Sequence, residues 1–173
     1  MLRLSYTVRT NRETVGRNEK CTASHNAEAG AMPPRSPGLP PATTDPSTLV
    51  ITSTPEAIKA ARDFARGWFD AKGYTNGVRE IALLVVTELV TNAYKHGSAP
   101  GEAISVHLYP SKAGPVTEVR DGSDAEPHVK PLTPDSFSGR GLAIVSELTA
   151  AWGFCHLASG GKAVFAVLNE TPK

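Results

Sequence analysis

The stretch 81-IALLVVTELVTNAYKHG-97 decides the fold of this chain, because it combines a strongly hydrophobic helix with one polar stripe. Glu88, Asn92 and His96 are spaced four residues apart within it. Four residues of an α-helix turn through about 400°, so the three side chains point in nearly the same direction. A solvated helix face is the plainer interpretation. However, the stripe interrupts an apolar helix and Asn is a poor helix former, which favours a face turned toward a ligand or partner.

The chemistry of this stripe suits a magnesium-bound nucleotide. An amide oxygen is a suitable ligand for a hard cation, which makes Asn92 a candidate metal ligand. A carboxylate one turn earlier can accept a proton from an attacking hydroxyl group or water, which makes Glu88 a candidate base.

The composition excludes several other classes of function. The chain has 173 residues, with 18 Lys and Arg against 17 Asp and Glu, so no strong field favours nucleic acid or an acidic membrane. No apolar run is long enough to span a membrane, and no signal peptide is recognisable. Cys21 and Cys155 form no CxxC pair and are interpreted as free thiols. Together these features predict a cytoplasmic protein.

The chain divides into an extension and one domain. Residues 1–47 hold six of the 14 prolines and are predicted to be mostly disordered, although 2-LRLSYTVR-9 alternates as an edge strand does. Residues 48–170 have the size and hydrophobic periodicity of one domain.

The order of elements in this domain predicts an α+β fold. Helices are expected from Pro55 to near Gly73, from Thr75 or Asn76 to Gly97, and from Gly141 onward. The predicted strands are 49–52, 103–109, 115–120, 152–157 and 162–168. This arrangement predicts a two-layer sandwich, with the helices on one face of a mostly antiparallel sheet.

An acid at the end of a strand marks a second candidate position. Asp121 is followed by Gly122 and Ser123, as in many ordinary turns. Alternatively, its carboxylate lies in a pocket and accepts a hydrogen bond from the amino group of adenine, which would select ATP over GTP.

Two glycine-containing segments complete the candidate site. In 138-SGRGLAIV-145, Gly139 and Gly141 allow backbone N–H groups to approach phosphate oxygens at a helix N-terminus. Arg140 is equally well explained as a phosphate ligand or as a surface residue. The segment Gly160-Gly161-Lys162 predicts a hairpin turn, with a lysine that is solvated or, alternatively, reaches a phosphate.

Taken together, these motifs resemble the GHKL ATPase superfamily, which has the Bergerat fold. The closest resemblance is to anti-sigma-factor serine/threonine kinases, as found among small actinobacterial ATP-binding regulatory proteins. It covers roughly residues 49–168, and 88-ELVTNAYKHG-97 resembles the N box of that family. The resemblance implies that Glu88 is the general base, Asn92 the Mg²⁺ ligand, and the loop 122–138 the ATP lid. The nucleotide contacts that it implies are Asn92, His96, Asp121, Gly122, Gly139, Arg140, Gly141 and Leu142.

The resemblance also implies a function and partners. It implies an ATP- and Mg²⁺-dependent homodimer that binds a sigma factor and phosphorylates a STAS-domain anti-sigma antagonist, without direct contact to nucleic acid or membrane. The chain departs from the family pattern at Asp121-Gly122-Ser123-Asp124-Ala125 and at Gly161-Lys162-Ala163, where a Gly-x-Thr hydroxyl is expected. An ATP-binding regulatory interaction module with little or no kinase activity is therefore the alternative. The detached ATP-binding half of a histidine kinase is a third interpretation.

Overall fold

The computed structural model describes residues 7–10, 21–24, 39–128 and 140–169. Its strands are β1 (Thr7–Thr10), β2 (Cys21–Ser24), β3 (Ser47–Thr52), β4 (Ala103–Ser111), β5 (Gly114–Asp121), β6 (Ala151–His156) and β7 (Lys162–Val167). Its α-helices are α1 (Glu56–Ala71), α2 (Asn76–Asn92) and α3 (Gly141–Leu148).

All described strands belong to one sheet with the order β1-β3-β4-β5-β7-β6-β2. Every neighbouring pair is antiparallel. The helices pack on one face of this sheet, where alternate residues of the strands, such as Val106, Val119 and Val164, join the main hydrophobic core. The predicted α+β sandwich is therefore confirmed.

The helices form the layer above the sheet because small and branched side chains follow the helical period. Ala57, Ala61 and Ala65 are buried at every fourth position of α1, which lets this helix approach α2 closely. The Thr75 side chain caps α2 by accepting a hydrogen bond from the Val78 N–H at 3.4 Å. Apolar residues cover most of α2, since it packs against both α1 and β5.

The end of α2 differs from the prediction of one continuous α-helix to Gly97. A wider π-helical turn, Ala93–Gly97, follows α2 directly. Such turns insert extra backbone into a helix and occur frequently at functional sites. Here the turn places the buried Gly97 against Asp121 at the end of β5.

The cysteines differ from the expectation of free thiols. Cys155 is buried and disulfide-bonded, so that expectation is wrong for this residue. The described residues contain no free cysteine. Cys21 stands opposite Cys155 in the register of β2 and β6. The free-thiol prediction failed because the pairing of β2 with β6 joins the extension to a strand near the other end of the chain. The spacing of the cysteines in the sequence does not reveal this strand pairing.

The extension contributes both edge strands of the sheet. β1 pairs with β3 and β2 pairs with β6, and the remaining residues before Leu39 lie outside the described ranges. The boundary between extension and domain, and the disorder expected for residues 1–47, therefore stay predictions. Within the described ranges, no helix has the length and apolar character needed to cross a membrane.

Candidate functional site

A cavity of about 490 Å³ opens between the end of α2, the start of α3 and the strands β5 and β7. This volume lies within the range of small-molecule binding sites. Residues predicted from widely separated motifs meet on its wall. They are Glu88, Asn92, His96, Asp121, Gly141 and Leu142.

Three other predicted residues are placed differently. Gly122 and Arg140 lie beside wall residues in the chain but are not themselves part of the cavity wall. Gly139 falls outside the described residues. The loop predicted as a lid, 122–138, is described only as far as His128, which lines the cavity together with Glu126 and Pro127.

Asp121 forms part of the buried wall, and its side chain is only 3% exposed. Its Oδ1 atom accepts hydrogen bonds from the Ser123 N–H at 3.0 Å and from Lys162 Nζ at 2.8 Å. Gly97 packs directly on the other side, where an added Cβ would overlap the carboxyl group. The carboxylate is therefore held in place from three directions, and this close approach requires a glycine at position 97.

Lys162 differs most from its predicted role. A solvated lysine was the favoured expectation and a phosphate ligand the alternative, but the side chain is 7% exposed, lines the cavity and pairs with Asp121. Side chains of a strand alternate between faces, and the next cavity residue on β7 is Val164. Ala163 is not part of the wall. The cavity-facing position at the start of β7 therefore carries an ammonium group.

The segment 121–125, where the chain departs from the family pattern, makes contacts of its own. Asp124 Oδ1 accepts a hydrogen bond from the Gly161 N–H at 2.8 Å. Lys162 Nζ donates to the Ser123 carbonyl oxygen at 3.1 Å, in addition to its bond with Asp121. These bonds tie the segment 121–124 to the start of β7, which we call the β5–β7 clamp.

A second close contact joins α2 to α3 at the opposite end of the cavity. The half-buried Glu88 lies directly against Gly141, where an added Cβ would overlap its Oε2 atom. Gly141 is the first residue of α3, so unpaired backbone N–H groups of the first helical turn lie beside this carboxylate. A helix N-terminus favours negative charge, and this end of the cavity is therefore suited to an anionic group.

Metal binding at this site depends on few protein ligands. The described residues hold no group of three or more His, Cys, Asp or Glu side chains that could bind a metal together. Asn92 lines the cavity one helical turn after Glu88. Its amide oxygen suits a hard cation whose other ligands are phosphate oxygens and water, as is usual for Mg²⁺.

Sequence reasoning missed several cavity residues besides Lys162. Lys95 lies in the π-helical turn that follows Asn92, and its exposed side chain lines the cavity. His128 had no motif partner, and it reaches the cavity through the loop after β5. Neither carries a sequence pattern that would have identified it, because each depends on the path of an irregular segment.

The comparison with protein families agrees with this geometry. The family model described as the histidine kinase-like ATPase domain matches residues 51–167. The match runs from β3 to the end of β7 and therefore includes every described residue that lines the cavity. No curated protein matches the chain.

Proposed function

Because the chain belongs to the histidine kinase-like ATPase domain family, we propose that its cavity binds ATP and that it is a serine kinase of the anti-sigma type. The observation that carries the proposal is the meeting of three separate motifs on one wall. The polar stripe of α2, the acid at the end of β5 and the glycine at the start of α3 all line the cavity.

The two ends of the cavity fit the two ends of the nucleotide. The buried Asp121 carboxylate accepts from the amino group of adenine. At the other end, Gly141 and Leu142 open α3, whose N-terminal N–H groups bind phosphate oxygens. A Cβ at position 141 would overlap Glu88 Oε2, so a glycine here lets the start of α3 approach the polar stripe of α2.

The stripe of α2 supplies the chemistry of transfer. Asn92 holds Mg²⁺, which neutralises phosphate charge when it is bound. Glu88 accepts the proton of the attacking serine hydroxyl group. The N-terminus of α3 stabilises the negative charge that develops during transfer. His96 is exposed at the end of the stripe and contacts the nucleotide from the cavity mouth.

The proposed partners come from the resemblance of the motifs to anti-sigma kinases. They are a sigma factor, which the protein binds, and a STAS-domain antagonist, which receives the phosphate on a serine. The active form is a homodimer. This function places the protein in the cytoplasm.

Two substitutions test the assignment of roles by calorimetry and by transfer of labelled phosphate. Asn92→Ala is expected to abolish Mg²⁺-dependent ATP binding, whereas Glu88→Gln keeps binding and loses transfer to the STAS protein. Unchanged Mg-ATP binding in Asn92→Ala would show that the metal ligand is misassigned. Full transfer activity in Glu88→Gln would remove the proposed base.

A second candidate is a regulatory interaction module that binds ATP with little or no kinase activity. The β5–β7 clamp favours it, because the bond from Gly161 to Asp124 restrains the start of the loop that would close over the phosphates. Incubation of the protein with labelled ATP and STAS-domain proteins separates the two candidates. A pure binding module transfers no label, although it still binds ATP.

A further inference from the structure

Lys162 is a buried cation whose donors are not all used. An ammonium group carries three N–H donors. Two of them are engaged, with Asp121 Oδ1 at 2.8 Å and with the Ser123 carbonyl oxygen at 3.1 Å. Lys162 makes no further hydrogen bond among the described residues. Its side chain lines the cavity, so the third donor is available to a ligand.

Asp121 presents the complementary group beside it. Its Oδ1 atom already accepts from Ser123 and Lys162. Within the described part of the chain, no hydrogen bond is made to Oδ2. One acceptor and one donor therefore stand side by side on the cavity wall, joined by the bond between Asp121 and Lys162.

The Watson–Crick edge of adenine matches this pair. Its 6-amino group is a donor and the neighbouring ring nitrogen N1 is an acceptor. We propose that Lys162 is a specificity-determining residue that donates a hydrogen bond to N1 of adenine, while Asp121 accepts from the 6-amino group. This inference rests on the proposed ATP site and adds a second point of base recognition to it.

The same pair disfavours guanine in that position. Guanine presents a carbonyl oxygen where adenine has its amino group, and an N–H where adenine has N1. The carboxylate would then face an acceptor and the ammonium would face a donor. Unmatched buried polar groups of this kind discriminate strongly between related ligands.

Nucleotides that lack single ring nitrogens test this contact. Binding of ATP, 1-deaza-ATP and 7-deaza-ATP to the full chain is measured by calorimetry, for the wild type and for Lys162→Met. The wild type is expected to bind 1-deaza-ATP about tenfold or more weakly than ATP, as for the loss of a hydrogen bond to a charged donor. In Lys162→Met the two affinities become equal. The ratio of 7-deaza-ATP to ATP stays the same in both proteins.

Lys95→Met is the matched control, because it removes an exposed lysine of the same cavity. It is expected to keep the wild-type preference for ATP over 1-deaza-ATP, whatever its effect on overall affinity. If Lys162→Met does not fold, the wild type alone decides: equal binding of ATP and 1-deaza-ATP overturns the contact. An unchanged ratio in folded Lys162→Met also overturns it. Absence of ATP binding by the wild type would instead overturn the proposed ATP site.

Discussion

Gly97→Ala tests how the cavity positions its buried acid. Gly97 lies in the π-helical turn, and an added Cβ would overlap the carboxyl carbon and both oxygens of Asp121. The carboxylate cannot retreat without loss of its bonds to Ser123 and Lys162. The methyl group must therefore displace either the π-helical turn or the acid.

The expected cost follows from these contacts. Overpacking of a buried site by one methyl group costs about 1–3 kcal/mol. For a chain of 173 residues, about 2 kcal/mol lowers Tm by roughly 4–8 °C. Displacement of Asp121 also removes its contact to the base. ATP affinity is therefore expected to fall by about tenfold or more, the equivalent of one hydrogen bond to a charged group.

Thermal unfolding and calorimetric titration with Mg-ATP measure the two effects. Gly77→Ala is the control, because it adds the same methyl group at the opposite end of α2, where no atom lies within 4 Å of it. It is expected to leave affinity unchanged and to add up to about 1 kcal/mol of stability. Gly97→Ala is then repeated in an Asp121→Ala background, where the overlapping atoms are gone. An equal loss of stability in both backgrounds would refute the proposed overlap with Asp121.

Two further predictions concern stability. Burial lowers the pKa of His107 from its ordinary 6.5. Below neutral pH the unfolded chain therefore binds more protons than the folded chain. The free energy of unfolding is expected to fall as pH drops from about 7.5 to 5. His107→Gln is expected to flatten this dependence in urea titrations, and an unchanged slope would contradict it. Thr75→Ala is expected to cost about 0.5–2 kcal/mol through loss of the α2 cap, whereas Thr75→Ser keeps most of it; equal losses would exclude capping by the hydroxyl group.

The order and extent of the elements were largely predictable from sequence. The helices and strands of the domain follow the hydrophobic periodicity and the residues that mark helix ends, such as Thr75 before α2 and Gly141 at the start of α3. The stripe of Glu88 and Asn92 was predictable because helical spacing alone brings both residues to one face. Its meeting with Asp121 followed from the family resemblance, since no local pattern joins α2 to the end of β5.

The position of Lys162 was not predictable, because β7 is buried along its whole length. A strand covered on both faces lacks the alternation of polar and apolar residues that would assign each side chain to a face. The preceding Gly160-Gly161 turn then suggested a solvent-exposed lysine. The π-helical turn was hidden for a similar reason, since a change of winding over five residues leaves no mark in the hydrophobic pattern.

The two edge strands have a consequence for self-association. An open strand edge exposes unpaired N–H and C=O groups that can recruit strands of other molecules. β1 covers β3, whose Val50 is 39% exposed, and β2 covers β6. Without them, the six-residue strands β3 and β6 would form the two edges in place of the four-residue strands β1 and β2. Loss of the extension would therefore lengthen both open edges of the sheet and favour edge-to-edge aggregation.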